Sequence, residues 1–486
     1  MLSLPGYDTS GFKSIPQISS WATKHATFNF SPLRDRKRSL VGRAKQNAAL
    51  PVSRIPTELL CDIFSKFLED DREFPDYAPA MGPLVSLHTR ADPTILGQVC
   101  SWWRSVALST QALWANIFIL EPKRPQISRT RMWLERAGAH PLNIAIEERR
   151  KTGYNLASLN DILSALASRR HLWRKVNFFI PSSAVEALMA AITNLHPDWQ
   201  NLESASLCIE FLQPSQKTSI DAIWKAFHSS PVLHEVDWRG LYYNGLPTHA
   251  PWAQLTHLSL LSEFNAESLV DVLASCTKIR VLSICQLSLS SETTKSPEPI
   301  VLNSLHTLTL EAEVETAPLF KRLTLPSLRS FDMRYRYLDK NLSNDLVGFQ
   351  ALLMRSNCSL ERFAYYHENI EEDHLHGYIT CPHLRNVAVL ELQAPISDRT
   401  IKSLTRQTND GFHEIMPFLE TMALSIRSSS DGLLAQMASS RWTDLDAHKG
   451  RKTLKEIILD KNGDYGIADE LGLSKLFDTG LQGFKS

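Results

Sequence analysis

Apolar residues in the first quarter of the chain follow a helical beat. In IPTELLCDIFSKFL (Ile55 to Leu68), Leu59, Leu60, Ile63, Phe64, Phe67 and Leu68 make a broad apolar face. Pro56 suits a first helical turn, and Glu58 lies near its positive end. A face this wide can meet two surfaces, its own core and a partner. In LGQVCSWWRSVALSTQALW (Leu96 to Trp114), Leu96, Val99, Cys100, Trp103, Val106 and Ala107 repeat at i, i+3, i+4, i+7. That spacing predicts a second helix, then a third short segment ending at Leu113 and Trp114, with Trp102 off the stripe. The stretch between, 69–95, opens acidic and holds Pro75, Pro79, Pro83 and Pro93, so it reads as a long connection that is either functional or disordered.

From about residue 170 the beat changes to apolar-x-x-apolar-x-apolar followed by a polar or helical stretch. Copies stand at Leu233/Val236/Trp238, Leu255/Leu258/Leu260, Ile279/Leu282/Ile284, Leu305/Leu308/Leu310, Leu328/Phe331/Met333 and Leu360/Phe363/Tyr365. They continue at Leu384/Val387/Val389, Leu419/Met422/Leu424 and Leu454/Ile457/Leu459, with weaker copies at Trp173/Val176/Phe178 and Leu202/Ala205/Leu207. Successive copies lie 22 to 35 residues apart, the mark of an irregular leucine-rich-repeat solenoid: an α/β fold of short parallel strands with outer helices such as Glu267–Cys276 and Leu346–Cys358. One copy cannot bury its apolar face, whereas stacked neighbours can. The asparagine or cysteine usual three positions after the last strand apolar is replaced by Glu263, Leu287, Glu313, Arg336 and Glu368, so a degenerate horseshoe is expected.

These patterns divide the chain into a disordered segment over 1–50, a helical module over 51–120, a linking segment over 121–169 and the repeats over 170–486. Within the first segment, RDRKRSLVGRAK suits either a nuclear-import or acidic-partner patch or a solvated flexible stretch. A zero formal charge over 486 residues gives no global field for nucleic acid or anionic membrane. No apolar run is long enough to span a bilayer, so no transmembrane helix is expected, and the N-terminal stretch, without a basic start or a long apolar core, is not expected to be a secretory signal. Seven scattered cysteines without a C-x-x-C pair point to reduced thiols in cytosol or nucleus, which makes the sequons at Asn29, Asn341 and Asn357 chance matches.

The two helical stretches together resemble the F-box, a three-helix module here stretched by the 69–95 insertion. The matching residues are Ile55, Pro56, Glu58, Leu59, Leu60, Ile63, Phe64 and Leu68, then Leu96, Val99, Cys100, Trp103, Arg104, Val106, Ala107, Leu113 and Trp114. TRMWLERAGAHPLNIAI (Thr130 to Ile146), LPSLRSFDM and CPHLRNVAVL are similar to the downstream part of the expanded F-box families of mushroom-forming fungi. Departures are Ile55, where leucine is commoner, and the insertion itself. The resemblance implies a non-catalytic substrate adaptor of a cullin–RING (SCF-type) ubiquitin ligase. In such a protein the F-box docks the small adaptor subunit, and through it a cullin, while the repeats hold a target protein. It assigns adaptor contact to Ile55, Pro56, Leu59, Leu60, Ile63 and Phe64. Leu96, Val99, Trp103, Val106 and Trp114 would form the module's core. The residues alone leave open a repeat scaffold that binds proteins without a ligase, the helical region capping the solenoid.

The strand residues between the last two apolar positions (Asp237, Ser259, Ser283, Thr309, Asp332, Ala364, Ala388, Ala423 and Ile458) form a small, nearly uncharged outward row. That row lacks the dense basic stripe that nucleic acid requires. Aromatics near the strand ends, Trp238, Tyr242, Tyr243, Tyr335, Tyr337, Tyr365 and Tyr366, are either target anchors or plugs between uneven repeats. HENIEEDHLHGY (His367 to Tyr378) is dense in histidine and acid but has no HExxH pattern. DKNGDYGIADEL (Asp460 to Leu471) imitates a calcium loop but places Tyr465 where glycine is needed and Leu471 where glutamate is. No catalytic constellation, metal site or cofactor is expected.

Overall fold

The computed structural model describes residues 55–69, 93–148, 153, 155–193, 199–210, 213–239, 249–288, 299–336, 343–406, 415–426, 429–442, 453–460 and 466–485. The segment 1–50 with its basic run, residues 70–92 of the insertion, Tyr242, Tyr243, Tyr337, Asn462 and Asp464 lie outside the described residues.

The helical module comprises α1 (Thr57–Glu69), α2 (Pro93–Leu96), α3 (Ser101–Ser109) and a 3-10 turn at Gln111–Trp114. The single helix expected from Leu96 is broken at residues 97–100. Gln98 closes a turn onto the Ile95 carbonyl, and α3 restarts behind Cys100, whose Sγ accepts the Trp103 amide at 3.4 Å. That break rotates Val99 out of the stripe and leaves it 59% exposed, so it is not a core residue as expected. Leu96, Val106 and Trp114 are buried, while Trp103 is half-buried with its ring edge-on to Phe64 at 4.9 Å.

The repeats follow as β1 (Asn116–Leu120), β2 (Leu142–Glu147), β3 (Trp173–Pro181), β4 (Ser204–Glu210), β5 (Glu235–Arg239), β6 (His257–Asn265), β7 (Val281–Ser288), β8 (Ile300–Val301), β9 (Thr307–Ala312), β10 (Leu323–Thr324), β11 (Ser330–Tyr335), β12 (Arg362–Tyr366), β13 (Val389–Ile396), β14 (Thr421–Ile426), β15 (Glu456–Leu459) and β16 (Gln482–Lys485). Fourteen of them form one parallel sheet in chain order, with β8 and β10 pairing separately in the connections. The chain is thus α/β, a leucine-rich-repeat-like solenoid of short strands alternating with helices. Stacking sets the register: Val236, Leu258, Leu282, Leu308, Phe331 and Phe363 occupy one row on successive strands, all buried beneath the helices.

Two expectations shift. The sheet starts at Asn116 rather than near 170, and the stretch expected as a link carries α4 (Arg124–Ala137), β2 and a helix at Leu156–Ala167. Trp114-x-x-Ile117-x-Ile119 fits the repeat template, so Trp114 closes the helical module and also leads the first strand. In β2 the leading position is Pro141, which hides the copy from an apolar count. The copy read at Leu384/Val387/Val389 slips by three. Phe363 pairs with Leu390 and Tyr365 with Leu392, while Leu384 ends a 3-10 turn (Pro382–Leu384). The true triplet, Val387/Leu390/Leu392, fits the same template, so spacing could not separate the two. Its consequence is chemical: the outward residue is Glu391, not Ala388.

Trp114 repays closer attention because a second residue repeats its geometry. Its indole Nε1 donates to the Ala107 carbonyl at 2.8 Å, and Trp173 at the head of β3 donates to the Leu166 carbonyl at 3.1 Å, each seven residues back. Each tryptophan hooks a strand to the helix before it. Trp114 also meets Trp133 of α4 edge-on at 5.7 Å and lies under the Arg136 guanidinium at 4.3 Å. Module and repeats therefore share one continuous core, running from Leu60 through Trp114 to Leu481.

Candidate functional site

In α1 the six apolar positions split into two adjacent rows. Leu60, Phe64 and Leu68, spaced by four, are buried in the shared core. Leu59, Ile63 and Phe67, also spaced by four, are 54%, 47% and 52% exposed. Of the expected contact residues, Leu60 and Phe64 therefore cannot touch a partner, because packing against Trp103 and the rest of the module already covers them. Ile55 is partly buried against the core, and Pro56 is exposed beside the helix start. The outward row is Leu59, Ile63 and Phe67. Phe67, absent from the expected set, was detectable at i+4 from Ile63.

The module also exposes Ile95, Val99, Trp102 and Leu108. Fully burying a large apolar side chain is worth about 1.5–3 kcal/mol, so the half-exposed α1 row holds on the order of 2–4 kcal/mol for whatever covers it.

On the repeat side, the residues between the two buried apolar positions face away from the helices and form a row across the sheet. Ser206 of this row donates to Asp237 at 3.0 Å. At its middle, Ala364 is a fully buried floor between Asp332 and Glu391. Arg334 grips Asp332 through two bonds of 3.0 and 2.9 Å and lies 4.1 Å over the Tyr366 ring. Arg362 meets Glu391 at 2.8 Å, Tyr366 donates to the same carboxylate, and Arg336 meets Glu311 at 2.7 Å. Burial pushes the Glu311 and Asp332 carboxyls above their usual range, and Arg336 and Arg334 respectively pull them back.

Three of the expected target anchors are core residues instead. Trp238, Tyr335 and Tyr365 are buried: Trp238 packs on Trp224 at 4.9 Å, and Tyr365 on Tyr378 at 4.7 Å. Tyr335 donates to Asp345 at 2.9 Å, and burial holds its phenol well above the ordinary range. They fill space between uneven repeats. Tyr366 alone of the described set stands on the outward face.

The histidine-rich stretch disperses in space. His367 accepts the Asn369 amide at 3.1 Å, His374 pairs with Glu371 at 3.6 Å, and His376 meets Ser403 at 3.0 Å. Among the described residues no group of three potential ligands gathers around one point, and no helix is long and apolar enough to cross a membrane.

No family model matches the sequence, and no curated protein matches it. Among solved structures, the chain aligns with a chain from the crystal structure of the Rad7 and Elc1 complex in yeast. That alignment has 13% identity and a TM-score of 0.34, covering 82% of this chain and 94% of that one.

Proposed function

We propose that this chain is a non-catalytic substrate-recognition subunit of an SCF-type cullin–RING ubiquitin ligase. Its F-box-like module docks the adaptor subunit, and the repeat sheet holds a protein target. The observation that carries this reading is the outward row Leu59, Ile63 and Phe67 on a helix whose other apolar row is already committed to the core. A capping helix for the solenoid needs only the inner row. A helix that must also bind a partner needs both, and large hydrophobic anchors of this kind dominate interfaces. The ligase would then act by proximity, with the reacting groups supplied by its other subunits. Seven cysteines, none of them in a disulfide among the described residues, fit work in a reducing compartment such as cytosol or nucleus.

The test is capture of the purified adaptor subunit and cullin by the full chain. Wild type is expected to retain both, and Ile63→Asp to release both while keeping its helical circular dichroism. Wild type that is folded and captures neither would overturn the proposal.

A further inference from the structure

We draw no further inference here: the strongest candidate, the set of exposed apolar side chains Ile95, Val99, Trp102 and Leu108 on the surface of the helical module, lies on the module whose docking row is already described, and nothing in the structure shows what covers it.

Discussion

Phe64 and Ile63 are neighbours in α1 and stand on adjacent rows, one buried and one half in water, which makes them a sharp test of how the helix is set in the module. Phe64 has no exposed surface, and its ring meets Trp103 edge-on at 4.9 Å. Truncation to alanine removes a large buried ring and leaves a cavity, about 3–5 kcal/mol in protein cores. Of this, about 0.5–1.5 kcal/mol belongs to the aromatic pair. Ile63 keeps 47% of its surface in water, so Ile63→Ala should cost about 1 kcal/mol or less. Repeat arrays do not unfold in one step, so a global melt would blur the difference. Hydrogen exchange of the amides in α1 and α3 reads the module alone. Phe64→Ala should speed that exchange by roughly a hundredfold or more, and Ile63→Ala by less than about tenfold, at 1.4 kcal/mol per decade. Equal effects, or the reverse order, would mean that the helix is rotated from the position described and that the outward row is not Leu59, Ile63 and Phe67.

Two further expectations concern the repeats. His228 stacks on Trp224 at 5.3 Å and shares a 2.8 Å hydrogen bond with His249; burial, aided by His249, pushes its imidazole down to about 3. Below pH 6.5 the unfolded chain takes up a proton that the folded chain refuses. Stability is therefore complete above that pH and falls as pH drops toward 3, by about 2 kcal/mol at pH 5. Urea unfolding at pH 7.5 and 5 should show this slope in wild type and a shallower one in His228→Phe; identical slopes would refute it. Arg441 is buried and donates to the carbonyls of Leu404 at 2.5 Å, Met416 at 3.0 Å and Ile415 at 2.8 Å. Met416 holds a positive φ of 50°, so the guanidinium fixes a backbone conformation that methionine disfavours. Arg441→Met keeps the stem but removes all three bonds, leaving the Met416 carbonyl only the Leu419 amide at 3.2 Å, and should cost on the order of 3 kcal/mol by thermal unfolding. Arg441→Lys should recover only part of this, because it cannot fork to three acceptors.

The repeat grammar was legible because burial imposes it: an inward row must be apolar whatever the rest of the copy does. It failed where that row was filled unconventionally. Pro141 in the leading place concealed β2, Trp114 was absorbed into the helix before it, and Val387/Leu390/Leu392 competed with an equally good frame three residues earlier. The orientation of α1 was half legible. Spacing gave a face wide enough for two surfaces, but which row faced the core depends on the partners that α3 and the 3-10 turn bring, and those are set by the break at residues 97–100. The ionic face of the sheet was hidden for a simpler reason. Arg334, Arg336 and Arg362 lie outside the row between the apolar pairs, and two of them, Arg336 and Arg362, meet their acids across strands rather than along the chain.

Trp114 joins the helical module to the repeats. A module joined to the repeats by a linker would place its docking row and the target face in no fixed relation. Here the residue that ends the helical module also leads β1, hydrogen-bonds back to α3 and packs on α4 through Trp133. The connection is core, not linker, so the outward row of α1 and the outward face of the sheet belong to one packed body. On the function proposed above, that rigidity would convert binding into effective concentration: displacement of a held target by a few ångströms changes the encounter rate, while a shared core restricts such displacement. It also means that the helical module cannot be assumed to fold when cut away near residue 120, since the cut removes Trp133 and Arg136 from the face of Trp114. Docking and target capture are therefore properties to be measured on the whole chain.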